Sequence, residues 1–261
     1  LKAAGFSVTI NKKDTLMTHK ELVKEFRKNK YDAVLSLLTD EIDADLIDVM
    51  HPNVKVIAQF AVGFNNIDID HAASKGISVL NTPATSGREV AEHAIALLMC
   101  LNMDICKMDS YVRSGKYKGW DSLLLRGPSL QGKTLGIIGA GNIGENTAKI
   151  AENGLGMNIL YHDVRRNTKI ESVLHAEYME NIDDLLRKSD VVSLHVPLNP
   201  NTYHLIDENQ LVKMKSSSLL VNTSRGAVVN EKALVRALKQ NMLRGAALDV
   251  YEEEPALAKG L

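Results

Sequence analysis

The stretch from Lys133 to Asp163, KTLGIIGAGNIGENTAKIAENGLGMNILYHD, decides the fold. Leu135 to Ile138 is a short apolar run that suits a buried parallel strand. It runs into Gly139-Ala140-Gly141-Asn142-Ile143-Gly144, a G-x-G-x-x-G. A helical pattern follows from Asn142 to Asn153, with Gly154 placed to cap it in the left-handed conformation. A second strand, Asn158 to Tyr161, leads to Asp163, nineteen residues past Gly144. Strand, glycine turn, helix, strand and acid in this order make a dinucleotide-binding unit. Gly139 permits the tight turn, Gly141 lets backbone approach a pyrophosphate, and Gly144 lets the helix pack close to the strand. The helix N-terminus offers N–H groups and a positive dipole end to the phosphates. Asp163 can take both hydroxyls of an adenosine ribose. A bare G-x-G-x-x-G marks any tight strand-to-helix turn; the strand, helix and acid in register are what make this one specific.

The same alternation extends on both sides. On the N-terminal side, strands are expected at Phe6 to Ile10, Tyr31 to Leu38, Val54 to Gln59 and Ile77 to Leu80. Between them lie a helix from a T-x-x-E capping box at Thr18 to Asn29, a helix from Asp40 to Met50, and one ending near Gly76. Asn81-Thr82-Pro83 breaks the pattern. One long helical stretch, roughly Gly87 to Ser114, follows, with Val90, Ala94, Leu97, Leu98, Leu101 and Ile105 at helical spacing. It reads as a core helix, or as one that bridges domains or packs on a partner subunit. After Asp163, helices are expected at Ile182 to Lys188, Glu208 to Met214 and Glu231 to Asn241. Strands are expected at Val191 to Val196, Leu219 to Val221 and Ala246 to Val250. These are parallel βα units of a layered α/β protein. The expected division is a first domain over 1–82, a bridging or dimerisation helix over 83–114, a nucleotide domain over 115–251, and a return towards the first domain over 252–261.

The 261 residues are 45% hydrophobic and 24% charged, with a formal net charge of −1. That balance gives no electrostatic footprint for nucleic acid or a membrane surface. No run is apolar enough to span a bilayer, and no signal-peptide pattern is present. Cys100 and Cys106 lie six apart, which on one helix puts them on different faces. A mutual disulfide is not expected, and reduced thiols suit a cytosolic protein. The sequence begins at Leu1 without a Met and stops at Leu261 in what reads as a loop. Both ends read as cut.

Ligands of open α/β sheets bind beyond the carboxyl ends of the strands. By that rule Asp163, Pro197, Thr223, Arg225 and Asp249 share one rim. A guanidinium at Arg225 can grip a carboxylate bidentately and polarise an adjacent carbonyl. Glu252, Glu253 and Glu254 form an acidic run that reads first as a solvated loop; spacing does not say which of them could orient a histidine. There are eight histidines. His93 reads as packed or partner-contacting, His195 as facing the core, His162 as too far from the nicotinamide. None is assigned as a proton donor. No residues group as metal ligands.

The segments AVGFNNIDID, NTP with VAEHAIALL, GKTLGIIGAGNIG, SLHVPLNPNTYHLI, LLVNTSRGAVVNEKALVRAL and GAALDVYEEEP together resemble the D-isomer-specific 2-hydroxyacid dehydrogenase family. The resemblance covers essentially the whole chain. It implies a Rossmann nucleotide-binding domain inserted into a flavodoxin-like substrate domain, and a homodimer through the long helix. It implies an enzyme that passes hydride between NAD(H) and a small 2-oxo or 2-hydroxy acid, with NADP a lesser possibility. Specificity resembles glyoxylate and hydroxypyruvate reductases slightly more than D-lactate dehydrogenases. A non-catalytic NAD(H)-sensing protein is the alternative from another class. By resemblance the amides of Val62 and Gly63 hold the substrate carboxylate, and Asn142 and Ile143 meet the pyrophosphate with Gly139, Gly141 and Gly144. Asp163 holds the ribose; Val196, Pro197 and Thr202 line the adenosine; Thr223 and Asp249 lie near the nicotinamide. Arg225 binds substrate, and Glu254 pairs with the catalytic His. The family often has Thr, contacting cofactor, where this chain has Gly87. Its proton-donating His lies in a Pro-His segment beyond Glu254, and this sequence ends before it.

Overall fold

The computed structural model describes residues 1–12, 15–82, 87–120, 124 and 127–261. The chain divides into two compact units, Leu1–Thr85 and Ser86–Leu261. The expected break at Pro83, and with it the start of the bridging segment, lies outside the described residues.

The first unit is a small parallel α/β body. It contains α1 (His19–Lys28), β1 (Ala33–Ser36), α2 (Ala44–Met50), β2 (Val56–Gln59), α3 (Ile69–Ser74) and β3 (Ser78–Asn81). Its sheet has the order β1-β2-β3, all parallel. The capping box at Thr18 forms: the Thr18 hydroxyl accepts from Glu21 N–H, and the Glu21 carboxylate accepts from Thr18 N–H at 2.9 Å. Leu46, Ile47 and Met50 of α2 close over Ile57 of β2 in one apolar cluster. Phe6 to Ile10 forms no strand, contrary to expectation. Phe6 and Ile10 are both exposed, so their apolar pattern meets no packing surface among the described residues, and pattern without burial does not hold a strand.

The second unit carries α4 (Gly87–Asn102), α5 (Ile105–Arg113), β4 (Thr134–Ile138), α6 (Asn142–Leu155), β5 (Asn158–His162), α7 (Thr168–Leu174) and β6 (Glu177–Tyr178). There follow α8 (Ile182–Lys188), β7 (Val191–Leu194), α9 (Glu208–Leu211), β8 (Leu219–Asn222), α10 (Glu231–Lys239) and β9 (Gly245–Leu248). The six strands are parallel in the order β6-β5-β4-β7-β8-β9, the doubly wound Rossmann arrangement. Burial explains the near-continuous apolar strands: β7 and β8 are buried at every position. Alternation sends Leu219 and Val221 into a core shared with α4 and α6, and Leu220 into a core shared with α8 and α10.

Two details of the second unit differ from expectation. Gly154 lies within α6, and Gly156 (φ 64°) caps it instead. Leu155 packs on the core, and that burial carries the helix past Gly154. The long helix is two helices. The Asn102 carbonyl accepts from Arg244 Nη2 at 2.8 Å rather than from the next turn, and Asp104 turns left-handed at φ 53°. Ala94 and Leu98 of α4 are buried in the core of this unit, as the core-helix reading expects, whereas α5 buries nothing.

His195 is half-buried, and burial lowers its pKa from 6.5 to about 4. Its Nε2 bonds the Ser193 hydroxyl at 2.9 Å. Below pH 6.5 an unfolded chain takes up a proton that the fold refuses, so stability is lost as pH falls from 6.5 towards 4. His195→Gln removes that component. Urea unfolding at stepped pH should show the wild type losing up to about 3 kcal/mol more than the variant across this window. Parallel slopes would mean that His195 is not held neutral.

Candidate active site

The glycine turn is built by close approach. Gly139 sits at φ 95°, and a Cβ there would lie 2.6 Å from the His195 carbonyl oxygen. A Cβ on Gly144 would lie 2.0 Å from the Gly139 carbonyl oxygen, so α6 can start this near β4 only with glycine. At Gly141 a Cβ would meet nothing within 4 Å, and α6 has no side-chain N-cap. Open space at Gly141 against the helix start at Asn142 and Ile143 fits a pyrophosphate. Asp163 is already oriented there. Its Oδ2 accepts from Ala140 N–H at 2.7 Å and its Oδ1 from Arg165 N–H at 3.0 Å.

Opposite, Val196 packs on Gly139, and Thr202 folds the next loop back by donating to the Pro197 carbonyl at 2.6 Å. Thr223 follows β8, and its hydroxyl is buried with no hydrogen-bond partner. An orphaned buried hydroxyl at this rim fits a polar group of the cofactor. The NAD(H) expected from the fingerprint therefore suits the residues present.

Arg225 follows two residues later. Asn222, buried at the end of β8, builds the loop that presents it. The Asn222 amide donates to the Arg225 carbonyl at 2.9 Å, and its Oδ1 accepts from the Ser224 N–H and hydroxyl. Burial lowers the Arg225 pKa, and the charge of Glu254 opposes that. Gly226 explains the proximity: a Cβ there would lie 1.9 Å from the Tyr251 carbonyl carbon. Only glycine lets the Arg225 loop lie against the loop that carries Glu254.

The structure separates the three glutamates. Glu252 is committed to scaffolding, accepting from Glu231 N–H at 2.9 Å and lying 2.6 Å from His204 Nε2. Glu254 accepts from Tyr251 N–H, and its charge raises the Arg225 pKa against the effect of burial. Of the histidines, His93 is not simply packed: its Nε2 lies 3.0 Å from Asp249 Oδ1, at the end of β9. Spacing could not show this pair, whose members are far apart in sequence. None of the eight histidines bonds Glu254. Val62 and Gly63 lie in the first unit, where their carbonyls accept from Asn81 and Gln59. Among the described residues their N–H groups donate to nothing. Gly87 abuts the Asn142 side chain so closely that a Cβ would lie 2.6 Å from Asn142 Nδ2, which leaves no room for Thr without displacing that amide. Among the described residues no cluster of potential metal ligands occurs, and no helix is long and apolar enough to cross a membrane.

A family model described as D-isomer specific 2-hydroxyacid dehydrogenase, NAD binding domain, matches residues 95–260. The chain belongs to the D-isomer-specific 2-hydroxyacid dehydrogenase family. A glyoxylate reductase of Thermofilum pendens is 44% identical over 256 residues, which is 98% of this chain and 74% of that one. A crystal structure from Thermus thermophilus superposes with a TM-score of 0.89 at 35% identity, covering all of this chain and 79% of its own. D-lactate dehydrogenase from Aquifex aeolicus, solved with NAD and lactic acid, gives 0.80 at 34% identity, covering 89% of this chain and 67% of its own. Membership places the protein among the NAD-dependent oxidoreductases of 2-hydroxy acids.

For a dehydrogenase of this family the Gly226 contact has a measurable consequence. Gly226→Ala pushes the Arg225 and Glu254 loops apart. kcat/KM for the 2-oxo acid should fall by about 100-fold, the scale of a 1 Å misplacement. The NADH Kd, read by fluorescence titration, should change far less. An equal loss in both would mean that Gly226 supports the whole rim of the second unit rather than the alignment of the two loops.

Proposed function

We propose that the protein reduces a small 2-oxo acid of the glyoxylate or hydroxypyruvate kind with NADH, giving the D-2-hydroxy acid where the product is chiral. The observation that carries this is Arg225, a half-buried guanidinium that follows β8 at the rim, its loop held by Asn222 and laid against Tyr251 by Gly226. NADH, when bound here, would supply the hydride. Arg225 grips the substrate carboxylate and draws electron density from the adjacent carbonyl. Glu254 orients and charges the imidazolium that protonates the forming alkoxide, a donor assigned to no histidine among the described residues. Thr223 and Asp249 fix the nicotinamide end. Val196, Pro197 and Thr202 wall the adenosine, and the Val62 and Gly63 amides are donors for a substrate carboxylate. The glyoxylate reductase relatives favour small substrates over D-lactate-type specificity.

NADH oxidation by the protein as its gene encodes it tests this, across glyoxylate, hydroxypyruvate, pyruvate and phosphohydroxypyruvate. Glyoxylate or hydroxypyruvate should give the highest kcat/KM. Cofactor binding without turnover of any of the four would overturn the enzyme in favour of an NAD(H) sensor. Arg225→Gln should cost about 1,000-fold in kcat/KM by removing the bidentate grip.

NADH should be preferred over NADPH. A 2′-phosphate facing Asp163 without rearrangement costs on the order of a few kcal/mol. Arg166 offers little relief, because Glu171 holds its guanidinium at 2.7 and 2.9 Å. Only Arg165 remains beside the acid, so the preference should be real but incomplete. Asp163→Ala should narrow or reverse it. If the ratio of kcat/KM values does not move, Asp163 does not read the ribose.

A homodimer follows from the same reading. The support is α5, with Ile105 and Val112 exposed, followed by exposed Tyr117 and Trp120. Light scattering at micromolar concentration should give twice the chain mass.

A further inference from the structure

Cys100 near the end of α4 and Cys106 near the start of α5 are both free, and their Sγ atoms lie 3.1 Å apart. On an unbroken helix six residues advance about 9 Å along the axis, so the two thiols could not meet. They meet because the chain turns between them. Asn102 is buried and held from several directions: its carbonyls accept from Arg244, and its amide donates to the Pro128 carbonyl at 2.9 Å. Asp104 then takes the left-handed conformation at φ 53°, and α5 starts in a new direction. The corner is pinned by groups other than the thiols, which makes their meeting a property of the fold.

We propose that Cys100 and Cys106 are a redox modification site: a vicinal dithiol that closes to an intramolecular disulfide by exchange with low-molecular-weight disulfides such as oxidised glutathione. The approach needed is small, since an S–S bond is about 2.05 Å and rotation about χ1 moves each sulfur over that range. Exposure sets the order of events. Cys106 is exposed and Cys100 only half so. The Cys106 thiolate attacks one glutathione sulfur, the external S–S bond breaks, and one glutathione thiol leaves. The Cys100 thiolate then attacks Cys106 Sγ and expels the second. The two cysteines together lose two protons and two electrons, and one glutathione disulfide becomes two thiols. The contact with Cys100 raises the Cys106 pKa, with Asp109 adding a smaller push in the same direction. That disfavours the thiolate at neutral pH, so the pair exchanges slowly and is unsuited to rapid peroxide sensing. The bond closes across the left-handed turn and fixes the direction in which α5 leaves α4.

The test uses the whole protein, reduced, freed of reductant and incubated with excess oxidised glutathione. Intact mass should fall by about 2 Da, the two thiol hydrogens. Both thiols should become unreactive to a chromogenic disulfide, and dithiothreitol should restore them. Non-reducing peptide mapping should join the Cys100 and Cys106 peptides of one chain. Cys100→Ser, which lacks the resolving thiol, should instead retain one glutathione on Cys106. Three results would overturn the proposal: two titratable thiols persisting in wild type, a stable glutathione on wild-type Cys106 as in the variant, or cross-linking between chains.

Discussion

The start of α6 depends on one steric constraint, the contact of Gly144 with the Gly139 carbonyl. A Cβ at 2.0 Å from that oxygen would push the helix away from β4. With glycine in place, the first turn of α6 stands at the carboxyl edge of the sheet, and its N-cap residue, Gly141, has no side chain to cap it. Much else is arranged from that edge. The Ala140 N–H in the same turn orients Asp163, and the His195 carbonyl lies so close to Gly139 that the end of β7 meets the turn as well. The sheet below tolerates no slippage, because each step of register would exchange the residues bound for its two cores.

A second close approach, at Gly226, organises the chemistry. The sheet places the ends of β8 and β9 side by side, with Asp249 N–H donating to the Asn222 carbonyl at 3.0 Å. Asn222 therefore serves both the ladder and the loop that presents Arg225. The loop after β9 divides its glutamates by task, Glu252 holding α10 and His204, Glu254 accepting from Tyr251 N–H. Two opposed influences act on Arg225: burial lowers its pKa, and the charge of Glu254 partly offsets that.

The nucleotide unit could be read in the sequence because its signals are local. Glycines at fixed spacing, an apolar run and an acid at the next strand end report their own backbone conformation. The order of the rim residues followed from the rule that ligands bind at strand ends. What escaped reading was long-range. The break after Asn102 is caused by Arg244, beside it in space but far away in sequence, and no periodicity within 87–114 carries that information; with it went the expectation that Cys100 and Cys106 face apart. The assignment of Glu252 and Glu254 needed Glu231 and His204, and the His93–Asp249 pair joins α4 to the end of β9. Phe6 to Ile10 failed for the complementary reason: its apolar residues fit a strand, but a strand also needs a partner and a core.

The exchange between Glu231 and Glu252 has a consequence for motion. Each backbone N–H is held by the other residue's carboxylate, at 2.9 and 2.8 Å. Neither bond can open without loosening both the first turn of α10 and the loop after β9. These segments form one cooperative opening unit, and their two amides should exchange with deuterium at a common rate. The loop that carries Glu254 thus borrows its order from a helix start, and fluctuations at one end of α10 reach the end of β9 as a single event.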